Sequence, residues 1–231
     1  MVDHVHHRNI GQGYFRAAVL GFNDGLLTNL SLILGVVGGN FKANYVAITG
    51  LAGLLAGAFS MAIGEYTSMR AQKELLENEL KKEQRELVEN PNAELEELKD
   101  ILVARGLSVS LATEVAQELM RDNKIALETH AREELGIDPY NLGAPFGAAF
   151  SSFLAFAVGA FVPLLPWLVS ANVTASVLSI VFTLVASSFS GFLLARLSNS
   201  TKYKALLRQL LLLSVAAGVT FTLGHLVGSV I

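Results

Sequence analysis

Apolar and polar positions fall along this chain in long blocks rather than in an even mixture. No Asp, Glu, Lys or Arg occurs between residues 143 and 195, and none between 209 and 231. Runs of that length suit helices that cross a hydrocarbon layer about 30 Å thick at about 1.5 Å per residue. The pattern predicts five such helices, at about 14–38, 44–68, 144–169, 171–196 and 204–230. Between the second and third lies a polar segment, 70–142, whose apolar residues recur with a helical period, as in LLENELKKEQRELVEN. Asn90-Pro91 ends its first helix, because proline cannot continue the helical ladder and restricts the residue before it. A second helix is expected over about 92–105, stopped by Gly106. A third is expected from a cap at Ser108 or Ser110 to about Leu135, before Gly136 and Pro139. The fold class is therefore an all-α membrane protein. Residues 1–69 hold an N-terminal tail and two spans, 70–142 a three-helix polar bundle, and 143–231 three further spans.

Composition changes this picture little, but charge orients it. The 231 residues are 52% hydrophobic and 16% charged, with a mean hydropathy of +0.48, which sets aside a reading as one or two soluble domains. Of the 17 basic residues, only Lys42 falls on the far side of the five spans. The positive-inside rule then places the N-terminus and the polar segment in the cytoplasm and the C-terminus outside. The polar start, DHVHHRN, and the length of the first apolar run give no sign of a cleavable signal peptide. With no cysteine there is neither a disulfide framework nor a thiolate metal site. Gly53, Gly57, Ser60 and Gly64 allow close helix packing, including between two copies, and carry no chemistry of their own.

Two constellations carry chemistry. The first lies in the stretch GFNDGLLTNLSLILG, residues 21–35, where Asp24 sits among apolar residues near the expected midplane. A charged side chain there costs at least about 2.5–3.5 kcal/mol, so an intramembrane acid reads as functional by default. Thr28 and Ser31 extend it into a polar stripe, and the second span offers Met61 and Glu65 one turn apart. Asp24, Met61 and Glu65 are the candidate path between the first two spans. The bland alternative is an acid that only hydrogen-bonds between helices, and lone His225 in the last span reads the same way.

The second constellation is the acidic segment, where 17 of the chain's 20 acids face 10 bases. On a helical wheel Glu83 falls inside the stripe of Leu76, Leu80 and Leu87, and Glu86 stands at its shoulder. Glu94 and Glu97 lie near the Leu95/Leu98 face, while His130 shares a face with Val115, Leu119 and Ala126, with Glu134 one turn beyond. Carboxylates turned into a small bundle repel one another and lose hydration, and a cation relieves both. The i,i+3 pairs Glu83/Glu86 and Glu94/Glu97 suit metal sharing from one helix face. Oxygen ligands with one imidazole suit Fe²⁺ or Mn²⁺ better than Cu⁺. The alternative is a solvated helical surface laced with i,i+4 ion pairs.

At GFNDGLLTNLSLILG, AGAFSMAIGEYTSM and ELKKEQREL the chain resembles the vacuolar iron transporter family, in its bacterial form, over nearly its whole length. The resemblance implies a homodimer of five-span subunits that exports Fe²⁺, and often Mn²⁺, from the cytosol in exchange for protons. It implies a multi-pass protein of a bacterial inner membrane, with Co²⁺ and Zn²⁺ as further ions to compare. It puts Asp24 and Met61 on the translocation path, and Glu83, Glu86, Glu94, Glu97 and Glu134 in a cytoplasmic metal-binding domain. The chain departs from the family where plant-type members carry a methionine pair, since His130 and Ala131 stand there. It departs again in 44–60, which lacks the acid that some relatives place in the outer half of the second span. The expected function is proton-coupled metal export, with no enzymatic activity, resident cofactor or nucleic-acid partner. The alternative is a membrane-anchored metal sensor or store. A ferroxidase is disfavoured, because 70–142 holds no Glu-x-x-His.

Overall fold

A computed structural model describes residues 14–170, 172–197 and 202–230, and the histidine-bearing N-terminal tail lies outside them. Eight helices follow in order: α1 Tyr14–Gly38, α2 Ala43–Glu89, α3 Pro91–Ala104, α4 Val109–Leu119, α5 Asn123–Glu133, α6 Pro145–Val169, α7 Val173–Leu197 and α8 Lys202–Gly228. The helices α1, α2, α6, α7 and α8 are long and apolar enough to cross a membrane, which makes the chain an integral multi-pass protein. By its contacts the chain divides into one unit of 1–67 with 145–231, and a second of 68–144.

In the first unit α1 is the helix that the others gather around. It buries Leu26, Leu30, Ile33 and Leu34, and a core of Ile33, Val46, Leu54, Phe156, Leu164 and Trp167 joins α1, α2 and α6. Glycines set how closely α1 is approached. A Cβ at Gly25 would collide with the Phe156 carbonyl oxygen of α6 and stand 2.8 Å from the Ala160 nitrogen. On another face a Cβ at Gly224 of α8 would collide with the Gly35 carbonyl. These are backbone contacts, so no side chain can swing aside. Gly25→Ala is therefore expected to force α1 and α6 apart, costing about 1–3 kcal/mol or more. A fall in melting temperature in detergent, against the wild type, checks this. The GxxxG pair of α2 meets side chains instead: Gly53 faces Leu32 and Asn29, and Gly57 is pressed against the buried Phe156 ring, whereas Gly64 further along has no neighbour within 4 Å.

Helix α6 carries Pro163 and Pro166 inside its span. Each removes a backbone donor and loosens the ladder around it. Carbonyls of that same stretch are reached from neighbouring helices, Ala160 O by Asn29 Nδ2 at 2.6 Å and Pro163 O by the Ser179 hydroxyl at 2.6 Å. Both bonds tie neighbouring helices to the proline-bearing stretch of α6.

In the second unit Asn90 and Pro91 separate α2 from α3, and Gly106 takes φ +101° just past α3, a conformation open to glycine. Ser108 caps α4, its hydroxyl accepting from Leu111 N at 3.4 Å. The expectation of one helix from there to Leu135 is corrected here. The structure breaks it after Leu119, and Asp122 starts α5 by accepting from Lys124 N at 2.8 Å and Ile125 N at 3.2 Å. The bundle is thus four helical segments, namely the end of α2 with α3, α4 and α5. Its core is Leu98 with Ala112, Ala116, Ala126 and Ala131, while Val115 and Leu119 are only half-buried.

Candidate metal centre and membrane cavity

In the second unit, Glu83 on α2, Glu94 on α3, His130 on α5 and Glu134 just beyond α5 bring one ligand atom each to within 4.8 Å of one another. The alanine positions on α4 and α5 keep these helices slim and leave room for the larger polar side chains. His130 Nδ1 lies 3.1 Å from Glu83 Oε1, 3.6 Å from Glu94 Oε2 and 3.5 Å from Glu134 Oε2. Donors bonded to one divalent ion at about 2.1 Å stand about 3–4 Å apart, so the quartet is close to the dimensions of a coordination shell. His130, Glu83 and Glu94 are buried, and Glu134 is the open member.

Two buried atoms here lack a hydrogen-bond partner, Glu83 Oε1 and His130 Nε2. Glu83 Oε1 is near His130 Nδ1 but off the line that a hydrogen bond requires. Burial first, then the charges of Glu134, Glu94, Glu86 and Glu97, push the Glu83 carboxyl up to about 7. Burial also raises Glu94, against the opposing pull of His130. Three carboxylates thus share one imidazole, whereas the neighbouring Glu133 is matched by Arg105 at 2.8 Å. A bound cation would relieve the orphaned Glu83 oxygen and the repelling carboxylates together.

The structure does not gather all six residues singled out in the sequence. Glu86 is half-exposed and lies 3.6 Å from Lys82, and Glu97 is exposed. Each i,i+3 pair contributes one residue to the quartet, and the other adds its negative charge from outside.

In the first unit the polar residues of α1 separate into two kinds. Asn23 Oδ1 accepts from Ser190 of α7 at 3.0 Å and from Gln209 of α8, and Asn29 bonds α6 as described. Both tie helices together. Asp24 is not used in this way, and among the described residues its partner is the Thr28 hydroxyl at 3.3 Å. Half-buried, it lines a cavity of 390 Å³ with Thr28, Ser60, Met61 and Glu65, where Gly57 and Gly64 leave space beside α2. Glu65 pairs with Arg16 at 3.1 Å, and this guanidinium is 70% exposed, so the bridge is weak and easily parted. No local pattern marks Arg16 and Gln209 as partners: 49 residues separate Arg16 from Glu65 and 186 separate Gln209 from Asn23. His225 is exposed on α8.

A multi-pass helical membrane unit with a deep acid in a cavity, joined in sequence to a bundle built for a cation, defines a membrane protein that handles metal ions. The chain matches the VIT family over residues 15–225 and belongs to that family. It is similar to a vacuolar iron transporter of Acanthamoeba castellanii, 43% identical over 153 residues, which cover 66% of this chain and 55% of that protein. Vacuolar iron transporter 1 of Arabidopsis thaliana is 28% identical over 229 residues, 98% of this chain and 92% of its own length. Vacuolar iron transporter 2 of Oryza sativa subsp. japonica is 30% identical over 216 residues, 93% and 88% respectively.

Proposed function

We propose that the chain exports divalent iron, and manganese with it, from the cytosol in exchange for protons. The observation that carries this reading is the shared cavity: the one deep acid of the membrane helices stands with Met61 and Glu65 around space large enough for an ion. A sensor or store in the bundle would have no use for it. The buried quartet supports a divalent cation as cargo, and the names of the relatives support iron. Imidazole with carboxylates suits Fe²⁺ and Mn²⁺, while the thioether of Met61 favours the softer Fe²⁺ on the path. Glu86 and Glu97 would serve as outer acids that draw ions toward the quartet. Metal binds only ionised carboxylates, so loading releases protons and protonation expels the ion, which is the chemical basis of exchange.

The bundle is read as cytoplasmic, the side that 16 of the 17 basic residues share. The working unit is read as a homodimer, with a second copy against the loosely packed α2 face around Gly64. Purified chain in liposomes, weighed by native mass spectrometry, is expected to be a dimer. Given Fe²⁺, Mn²⁺, Co²⁺ or Zn²⁺ outside and an acidic lumen, it should take up Fe²⁺ and alkalinise the lumen. Metal retained on the protein with none in the lumen, whatever the pH gradient, would make the chain a sensor or store instead.

A further inference from the structure

We infer that the α1 stripe leads beyond Asp24 into a second, acid-free cavity that carries the cation with its water shell through the other half of the membrane. This rests on the reading of Asp24 as the acid that bears the metal. A groove of 640 Å³ is lined by Thr28, Ser31 and Gly35 of α1, Thr49 of α2 and Thr220 of α8, with apolar residues between them. Thr28 lines both this groove and the cavity of Asp24, Met61 and Glu65. Asp24, Thr28 and Ser31 stand at i, i+4 and i+7, so one face of α1 runs past both spaces.

The Ser31 hydroxyl points to a ligand. Hydroxyls in apolar helices ordinarily bond the carbonyl one turn back, as Ser188, Ser214, Thr220 and Thr222 do here. Ser31 Oγ is buried and makes no such bond. A buried polar atom without a partner costs free energy unless water or a ligand meets it. At about 30 Å³ per water, a groove of this volume has room for a cation together with its hydration.

What is missing from the groove matters as much. There is no Asp or Glu in α1 after Asp24, in α2 before Glu65, or anywhere in α8. Neutral hydroxyls do not displace the inner waters of a divalent ion as carboxylates do, so an ion leaving Asp24 meets nothing that holds it. Capture and release are thereby divided along one helix: charged and thioether ligands on one side of Thr28, hydroxyls and water on the other.

The chain contains no cysteine, so single substitutions report alone. Ser31→Cys, Thr49→Cys and Thr220→Cys are made in the full chain in liposomes. Val181→Cys, on an outward face of α7 at 44% exposure, is the lipid-facing control. A membrane-impermeant, charged methanethiosulfonate reagent is added to both faces. Thiols react as thiolates, which form in water and not in hydrocarbon. The three groove positions should label at least tenfold faster than Val181→Cys, and their modification should cut Fe²⁺ flux at least tenfold. Labelling no faster than the control, or full modification that leaves flux unchanged, overturns the inference while metal export stands. A wild-type chain that moves no metal overturns both.

Discussion

Asp24→Asn is expected to abolish the proposed exchange of metal for protons. The substitution keeps the shape of the side chain and the bond from Thr28, and removes only the ability to ionise. On the proposed reading, an acid is tolerated in this apolar helix because a proton or an ion neutralises it at each stage of the cycle. A proton and an approaching dication cannot both hold that carboxylate, so on this reading the two compete for one group. Amide in its place ends that competition, and Fe²⁺ flux should fall by at least a hundredfold. Metal bound by the quartet should be unchanged, because none of its four residues belongs to the membrane unit. The measurement is Fe²⁺ uptake with a pH-reporting dye in the lumen, wild type beside the variant. Exchange at the wild-type rate would make Asp24 a structural hydrogen bonder and shift attention to Glu65.

Glu83→Gln and His130→Ala each weaken metal binding to the bundle at least tenfold, and together remove the tight site. Glu83 is the most buried carboxylate of the quartet, and the buried His130 ring faces all three acids, so the first substitution removes a central charge and the second the one imidazole. In the wild type, binding is also pH-dependent. A proton occupies Glu83 below about 7, so affinity should rise from pH 6 to pH 8 and flatten above that. Stability without metal runs the other way. Unfolded, the carboxyl gives up its proton near 4.5, whereas folded it keeps it to about 7. Between these values the unfolded chain binds fewer protons, so metal-free stability falls as pH rises. Added Mn²⁺ should reverse that slope, and Glu83→Gln should flatten it. Calorimetric titration gives the affinities and melting with EDTA or Mn²⁺ gives the slopes. Unaltered affinity in the double variant would reduce the quartet to a solvated acidic face.

Periodicity reads well where one element decides burial and poorly where two must meet. The five spans are legible because 143–195 and 209–231 admit no charge, and no packing detail changes that. Ala126 and His130 are legible as one face because they stand one turn apart on α5, and both are buried. The wheel fails across Met120 to Asp122, where the chain turns, so Val115 and Leu119 do not share the depth of His130 while Ala112 and Ala116 are buried instead. The Asp122 cap is a local signal that marks the break, outweighed by the continuous apolar period on either side. Glu83 and Glu86 stand three residues apart, one inside the apolar stripe and one at its shoulder, and the wheel keeps both as candidates. Only the approach of α3 and α5 buries the first and leaves the second beside Lys82. Likewise nothing local marks Arg16 as the companion of Glu65, or tells Asn23 and Asn29, which hold helices together, from Asp24, which does not.

The glycine contacts of α1 have a bearing on how such a protein diversifies. Gly25 meets backbone on α6, and Gly224 of α8 meets the backbone of α1 at Gly35, so Gly25 and Gly224 are nearly closed to variation. Asp24, Thr28 and Ser31 border open space, as do Met61 and Thr49 on α2. A lineage can therefore exchange the groups that border this space while the scaffold stays constant, and a drift in cargo would require no new architecture.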